Sequence, residues 1–261
     1  MQIHGLNKTT LLDYPEHVAA TIFTGGCNFR CPFCHNKDLV LNPTGQPTIE
    51  EKEVLDFLRK RKGIITGVCV TGGEPTLQAD LKEFLGKIKE IGLKVKLDTN
   101  GYKPEVLTDV VESGLVDYVA MDIKSSKEGY AVAVGYDSRC ICEAENQEKN
   151  LRQEDIENIG RCDKFYLENI ERSVSFLMQN KVPYEFRTTV VKELHTEKEI
   201  EAIGKWIKGC NAYYLQTYEE NENVIHPIFH PRAKEEMLKF LQILKKYVQN
   251  TQVRGIDVDG I

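Results

Sequence analysis

Three cysteines, Cys27, Cys31 and Cys34, lie within eight residues with the spacing C-x3-C-x2-C. Thiolates are the usual protein ligands of iron–sulfur clusters, and a [4Fe–4S] cluster has four irons to ligate. Three thiolates therefore leave one iron open to a ligand from outside the protein, and an open metal position is where chemistry can occur. A zinc site is the alternative, since His35 follows the third cysteine, but no second cysteine pair has the spacing typical of zinc loops.

Three further polar segments contain residue types that bind charged small molecules. They are Gly72-Gly73-Glu74-Pro75, Asp98-Thr99-Asn100-Gly101 and Asp122-Ile123-Lys124, and each follows an apolar run that predicts a strand. Arg187 lies inside another such run. A carboxylate can accept charge-assisted hydrogen bonds from an ammonium group, and a lysine or arginine can neutralise a carboxylate. Each of these residues alone would more often be a loop cap, a solvated charge or part of an internal salt bridge.

Strands and helices alternate along the chain. The predicted strands are 18–23, 64–70, 93–97, 116–121, 184–191 and 212–217, with a short closing strand near Val253. Two capping-box signatures, Thr48 with Glu51 and Thr196 with Glu199, predict helix starts. Such alternation is typical of parallel strands joined by right-handed crossovers. About six units are fewer than the eight of a closed barrel. We therefore predict an α/β fold, an incomplete (β/α)6 TIM-like barrel with the cysteine loop after the first strand. A doubly wound open sheet is the alternative.

The overall composition is that of a globular protein. The chain has 261 residues, of which 41% are hydrophobic and 28% charged, and its formal net charge is -6. We expect a single domain over 1–261 with an irregular insert at about 130–165. The negative charge argues against broad nucleic-acid binding, which needs a basic face. No apolar run approaches the roughly 18 residues that span a bilayer, and 1–14 lacks the apolar run of a signal peptide, so we expect a cytoplasmic protein without membrane association.

The cysteine segment, Cys-Asn-Phe-Arg-Cys-Pro-Phe-Cys-His-Asn, resembles that of the radical S-adenosylmethionine (SAM) superfamily, which has an aromatic residue before the third cysteine. Gly72-Gly73-Glu74-Pro75 matches a second segment of that superfamily. Within it, the chain is similar to the activating enzymes of glycyl radical enzymes, above all those of anaerobic ribonucleoside-triphosphate reductases, from about Gly5 to Gly255 except for the insert. The resemblance implies an oxidoreductase with a [4Fe–4S] cluster on Cys27, Cys31 and Cys34. Such an enzyme cleaves SAM reductively to a 5'-deoxyadenosyl radical and generates a glycyl radical on a partner enzyme.

The resemblance also assigns cofactor contacts to residues outside the cysteine triad. They are Phe33, Gly72, Gly73, Glu74, Asp98, Thr99, Asp122, Lys124 and Arg187. The aromatic residue would lie near the SAM adenine, the Gly-Gly-Glu segment would bind the methionine amino group, and the two cations suit the methionine carboxylate. In similar activases the aspartates and the threonine help bind a monovalent cation, which implies a sodium or potassium ion. In one departure, Leu215-Gln216-Thr217-Tyr218-Glu219 lacks the histidine that contacts the SAM ribose in some activases.

The implied partners are a glycyl radical enzyme, namely an anaerobic ribonucleotide reductase, and a flavodoxin or ferredoxin as electron donor. One alternative is a radical SAM enzyme that acts on a small molecule or a peptide. Another is a structural or electron-transfer metalloprotein, which leaves Gly72-Gly73-Glu74-Pro75 unexplained. Cys69 is interpreted as a core thiol. Cys140, Cys142 and Cys162 allow a second metal site, but incidental thiols in an insert are the favoured interpretation.

Overall fold

The computed structural model describes residues 1–136 and 165–256. They group into two compact units. The first comprises Met1–Asn28, Asn36–Met121 and Asn169–Tyr184; the second comprises Phe29–His35 and the described parts of Asp122–Glu168 and Glu185–Ile261. The single domain expected from the sequence stays a prediction. Most of the expected insert, including Cys140, Cys142 and Cys162, lies outside the described residues.

The strands of the first unit follow one another in chain order in a sheet. They are β1 (Ile3–Thr10), β2 (Ala19–Thr24), β3 (Gly67–Gly72), β4 (Lys94–Thr99) and β5 (Tyr118–Asp122), whose last residue is counted with the second unit. β1 pairs antiparallel with β2, whereas β2 to β5 pair in parallel. The middle strands are apolar, and Ile22, Val70 and Leu97 are fully buried, which is typical of parallel sheets covered on both faces. The carboxyl ends of β2 to β4 therefore lie along one edge.

Helices connect the strands. They are α1 (Lys37–Leu41), α2 (Glu51–Arg61), α3 (Leu81–Ile91), α4 (Pro104–Glu112), α5 (Tyr130–Ala133), α6 (Leu167–Leu177), α7 (Glu197–Trp206) and α8 (Lys234–Leu244). In α3, the residues Leu81, Phe84, Leu85 and Ile88 recur at helical spacing and are buried. α3 ends at Gly92, which has φ 90° and caps the helix in the left-handed conformation. Among the described residues, none of the helices combines the length and the apolar character needed to cross a bilayer.

Three parallel strands of the sheet belong to the second unit, again in chain order, except that their first residue, Tyr184, is counted with the first unit. They are β6 (Tyr184–Val190), β7 (Tyr213–Thr217) and β8 (Thr251–Arg254). Phe186 and Tyr213 are fully buried in the core of this unit. The hydroxyl oxygen of Thr196 accepts a hydrogen bond from the backbone N–H of Glu199 at 3.3 Å, so the capping predicted for the start of α7 is confirmed.

The predicted fold class, an α/β fold of the incomplete barrel type, is confirmed, and β2 to β7 are the six predicted strands. Two local features differ from the predictions. β1 was not predicted, because only Ile3 of its eight residues is buried and the strand is defined by its pairing with β2. The capping box at Thr48 was wrong: the N–H of Ile49 donates to the carbonyl of Ile3, this bridge keeps the chain extended, and α2 begins only at Glu51.

Candidate active site

In the first unit, the turn after β3 lies directly against the start of the cysteine loop. The backbone N–H of Glu74 donates to the carbonyl oxygen of Gly26 at 2.8 Å. A Cβ atom on Gly73 would clash with that same carbonyl. Gly72 has φ 116°, a conformation that favours glycine. Gly73 is thus required for the backbone to approach Gly26, the residue that precedes Cys27, whereas a Cβ on Gly72 would clash with the backbone of Thr24.

The carboxylate of Glu74 joins the turn after β3 to the turn after β4. Its Oε1 accepts hydrogen bonds from the N–H of Thr76 at 3.0 Å, the hydroxyl of Thr76 at 2.6 Å and the hydroxyl of Thr99 at 2.8 Å. Its Oε2 accepts from the N–H of Asn100 at 2.6 Å. Burial raises the pKa of Glu74, and these donors oppose that rise. The carboxylate predicted to bind the SAM ammonium is therefore already hydrogen-bonded to the protein's own groups.

The side chain of Asn100 reaches the first cysteine of the triad. Its Nδ2 lies 3.8 Å from Sγ of Cys27 and donates to Oδ1 of Asn28 at 2.9 Å. Its Oδ1 accepts a hydrogen bond from the N–H of Tyr102 at 3.0 Å. Since a backbone N–H can only donate, this contact fixes which end of the amide faces the thiol. Asn100 thus presents an N–H group to Cys27.

Asp98 has a buried cationic partner. Lys96 is 3% exposed and forms an ion pair with Oδ1 of Asp98, two residues on and therefore on the same face of β4. The ammonium of Lys96 also lies 3.8 Å from Sγ of Cys69, which is fully buried, as expected for a core thiol. The predicted site residues Glu74, Asp98 and Thr99 all belong to the first unit, where Thr99 contacts Glu74.

In the second unit, the other two cysteines lie in a tight turn. The N–H of Cys34 donates to the carbonyl of Cys31 at 3.0 Å. Cys31 is 6% exposed; burial raises the pKa of its thiol to about 12, although the charge of Lys124 opposes the rise. Phe33 is also buried, and its ring lies edge-on to Phe229, with 6.2 Å between the ring centroids.

Asp122 lies between two cations of the same unit. Lys124 donates to Oδ2 of Asp122 at 2.9 Å, and Nε of Arg187 donates to Oδ1 at 3.0 Å. Burial acts to raise the pKa of Asp122, but the charges of Arg187 and Lys124 outweigh it and lower the pKa to about 2. Three predicted site residues are thus brought together as one ionised group carrying a net positive charge, which suits an anionic ligand.

Two of the residues that shape the site were not singled out from the sequence. Asn100 appeared only as a member of the polar segment after the third predicted strand, and His195 was not among the predicted site residues. His195 is fully buried, and burial lowers the pKa of its imidazole. Its Nδ1 accepts from the N–H of Val191 at 3.0 Å, so its Nε2 donates to the carbonyl of Lys124 at 2.9 Å and holds the backbone there. No local sequence pattern indicates either contact, because both depend on strand ends that are distant along the chain.

The donor set fits an iron–sulfur cluster. A cluster gives each thiolate its own iron, so the sulfurs need not converge on a single point. In the part of the chain that the structure describes, no three His, Cys, Asp or Glu side chains converge to hold a single metal ion. Just before Cys27, Gly73 packs directly against the carbonyl of Gly26, and this contact leaves the loop backbone little freedom. Thiolate ligation requires loss of the thiol proton, and the charge of Lys124 opposes the rise that burial causes in the pKa of Cys31.

Comparisons with known proteins agree on one family. The family model described as the radical SAM superfamily matches residues 21–144. A protein of Methanocaldococcus jannaschii, provisionally named a glycyl-radical enzyme activating enzyme, is 34% identical over 259 residues, covering 98% of this chain and 96% of that protein. The pyruvate formate-lyase-activating enzyme of Clostridium pasteurianum is 27% identical over 218 residues, covering 81% of this chain and 85% of that enzyme.

Solved structures show the same fold at low sequence identity. SuiB of Streptococcus suis bound to S-adenosylmethionine matches with a TM-score of 0.62 and 13% identity over 88% of this chain and 48% of that one. The structure of anSMEcpe with bound AdoMet matches with a TM-score of 0.52 and 20% identity over 85% of this chain and 58% of that one. The chain spans about half the length of these two proteins, so the likeness concerns the shared fold.

Proposed function

The chain belongs to the radical SAM superfamily and to its glycyl-radical enzyme activating enzymes, and we propose that Cys27, Cys31 and Cys34 hold its [4Fe–4S] cluster. Enzymes of this family use such a cluster together with SAM. The proposal is supported by the C-x3-C-x2-C spacing and by the family to which the chain belongs. When bound and reduced by the electron donor, the cluster would supply one electron to SAM, which would give methionine and a 5'-deoxyadenosyl radical able to take a hydrogen atom from a glycine of the partner and become 5'-deoxyadenosine.

The protein's own residues orient SAM in this proposal. Lys124 and Arg187 neutralise the methionine carboxylate, and Asp122 holds both cations in place by one hydrogen bond to each. Phe33 lies near the adenine, as the family resemblance implies. His195 fixes the backbone of Lys124, so that the ammonium group keeps its position.

The Gly-Gly-Glu segment acts through its backbone. Gly72 and Gly73 are partly exposed, whereas the Glu74 carboxylate is buried and hydrogen-bonded to the protein. We therefore propose that backbone atoms of this segment contact the methionine amino group. Glu74 would hold that backbone in place through its own hydrogen bonds. The sodium or potassium ion at Asp98, Thr99 and Asp122 stays a prediction. Each of its two carboxylates already has a cationic partner within the protein.

The partner that we propose is an anaerobic ribonucleoside-triphosphate reductase, and the electron donor is a flavodoxin or ferredoxin. The sequence resemblance to activating proteins of such reductases supports this choice. The single observation that supports activation itself is the 34% identity over 98% of the chain to a protein named for that activity. A cytoplasmic location likewise stays a prediction.

The partner is tested by electron paramagnetic resonance. The reconstituted enzyme, SAM and a reductant are incubated anaerobically with an anaerobic ribonucleotide reductase from the same organism. A parallel reaction contains a pyruvate formate-lyase instead. A glycyl radical doublet on the reductase alone supports the proposal. A doublet on the lyase alone would assign the other partner. SAM cleavage without a radical on either protein would favour a small-molecule or peptide substrate.

A further inference from the structure

Asn100 presents a hydrogen-bond donor to a proposed cluster ligand. Its Nδ2 lies 3.8 Å from Sγ of Cys27, and its amide cannot turn over without losing the hydrogen bond from Tyr102 to its Oδ1. The donor is therefore oriented by the protein rather than by the sulfur. This arrangement belongs to the first unit alone.

The backbone of Asn100 is held as firmly as its side chain. Its N–H donates to Oε2 of Glu74 at 2.6 Å, and the preceding Thr99 donates its hydroxyl to Oε1 at 2.8 Å. The hydroxyl oxygen of Thr99 also accepts from the N–H of Gly101 at 3.0 Å. Asn100 is 5% exposed and Glu74 1% exposed, so water competes little for these hydrogen bonds.

We propose that Asn100 is a positioning and tuning residue, which donates its amide N–H to the thiolate of Cys27 and raises the reduction potential of the cluster. The inference rests on the proposed role of Cys27 as a ligand. Hydrogen bonds to the sulfurs are one of the factors that set the potentials of iron–sulfur clusters. A donor stabilises the more negative, reduced state more than the oxidised state, because the charge on the sulfur is larger after reduction.

The amide suits this task better than a charged group. It supplies a dipole without placing another ion in the buried turn, where an unpaired charge is costly. Glu74 acts through Asn100: its buried carboxylate binds the turn after β4, and this turn sets the distance from Nδ2 to Sγ. The carboxylate thus contributes to the cluster environment without touching a cysteine sulfur.

The test is a redox titration of the reconstituted protein followed by electron paramagnetic resonance. Asn100→Asp keeps the size of the side chain but replaces the donor with an acceptor, and Asn100→Leu removes the donor without adding charge. Asn7→Asp, on the exposed part of β1, is the matched control. We expect both Asn100 variants to keep four irons per chain. At a fixed potential near the midpoint, their oxidised-to-reduced ratio should rise about tenfold, which is about 59 mV for one electron.

The outcomes separate this inference from the proposed function. An unchanged midpoint in both Asn100 variants with full iron content would overturn the tuning role and leave the function intact. Loss of iron from both variants, but not from Asn7→Asp, would overturn tuning in favour of a purely structural role. Full iron content in Cys27→Ala would instead remove the ligand role of Cys27, on which the inference depends.

Discussion

Replacing Asp122 by asparagine should destabilise the protein in a manner that depends on pH. Asp122 is 27% exposed, and its partners Lys124 and Arg187 are 17% and 13% exposed, so solvent screens this group only in part. The substitution keeps the shape of the side chain but removes the negative charge that both cations contact. Lys124 and Arg187 would then lose the negative charge that compensates their own charges, which destabilises the folded protein.

The magnitude follows from the pKa of Asp122. Its pKa falls from an ordinary 3.8 to about 2 in the folded protein. One pKa unit corresponds to about 1.4 kcal/mol, so ionised Asp122 contributes about 2 kcal/mol to the free energy of unfolding at neutral pH. Because the loss of one partner of a buried ion pair costs about 3–5 kcal/mol, we expect a total loss of about 2–4 kcal/mol for this partly buried group.

The sign of the pH dependence is fixed by the lowered pKa. A carboxyl group with a depressed folded pKa stabilises the protein above its unfolded pKa and loses that contribution as pH falls through the folded value. The contribution of Asp122 is therefore complete at pH 7 and falls to about 1 kcal/mol near pH 3. The difference between Asp122→Asn and the unmodified chain should shrink correspondingly over this range.

Urea unfolding of the cluster-free protein at several pH values between 3 and 7 measures this difference. Asp56→Asn is the control, because Asp56 forms exposed ion pairs on α2 and its replacement should leave the free energy of unfolding nearly unchanged. A difference at pH 7 that matched the control, or one that stayed constant down to pH 3, would refute the assignment of Asp122 as the ionised centre of this group.

Three further predictions concern iron binding and stability. Gly73→Ala should lower the iron content of reconstituted protein, because its Cβ would clash with a backbone carbonyl, whereas Gly86→Ala, which meets no atom within 4 Å, should not. Cys34→Ala should reduce iron per chain, and Cys69→Ala should leave it unchanged; equal iron in both variants would contradict the ligand assignment. Thr196→Ala should cost about 1 kcal/mol in urea unfolding, because it removes the cap of α7.

The sequence predicted the features that depend on neighbouring residues. The spacing of Cys27, Cys31 and Cys34, the six strands β2 to β7 and the capping of α7 by Thr196 are all local patterns. The ligand role of the cysteines stays a prediction, whereas the fold class is confirmed.

The features that were missed depend on contacts between distant residues. The role of Asn100 follows from the turn after β4 meeting the cysteine loop, and Glu74 faces inward because Thr99 and Asn100 donate to it. No periodicity in the sequence reports such pairings, since each is set by the register of the strands.

The central claim is that this chain cleaves SAM reductively at a cluster bound by the three cysteines. Its most direct test is anaerobic reconstitution with iron and sulfide, reduction in the presence of SAM, and detection of 5'-deoxyadenosine. We predict that 5'-deoxyadenosine forms in the unmodified protein and not in Cys31→Ala. If the cluster assembles but the protein never cleaves SAM, even with a strong reductant, the account is contradicted and an electron-transfer protein is favoured.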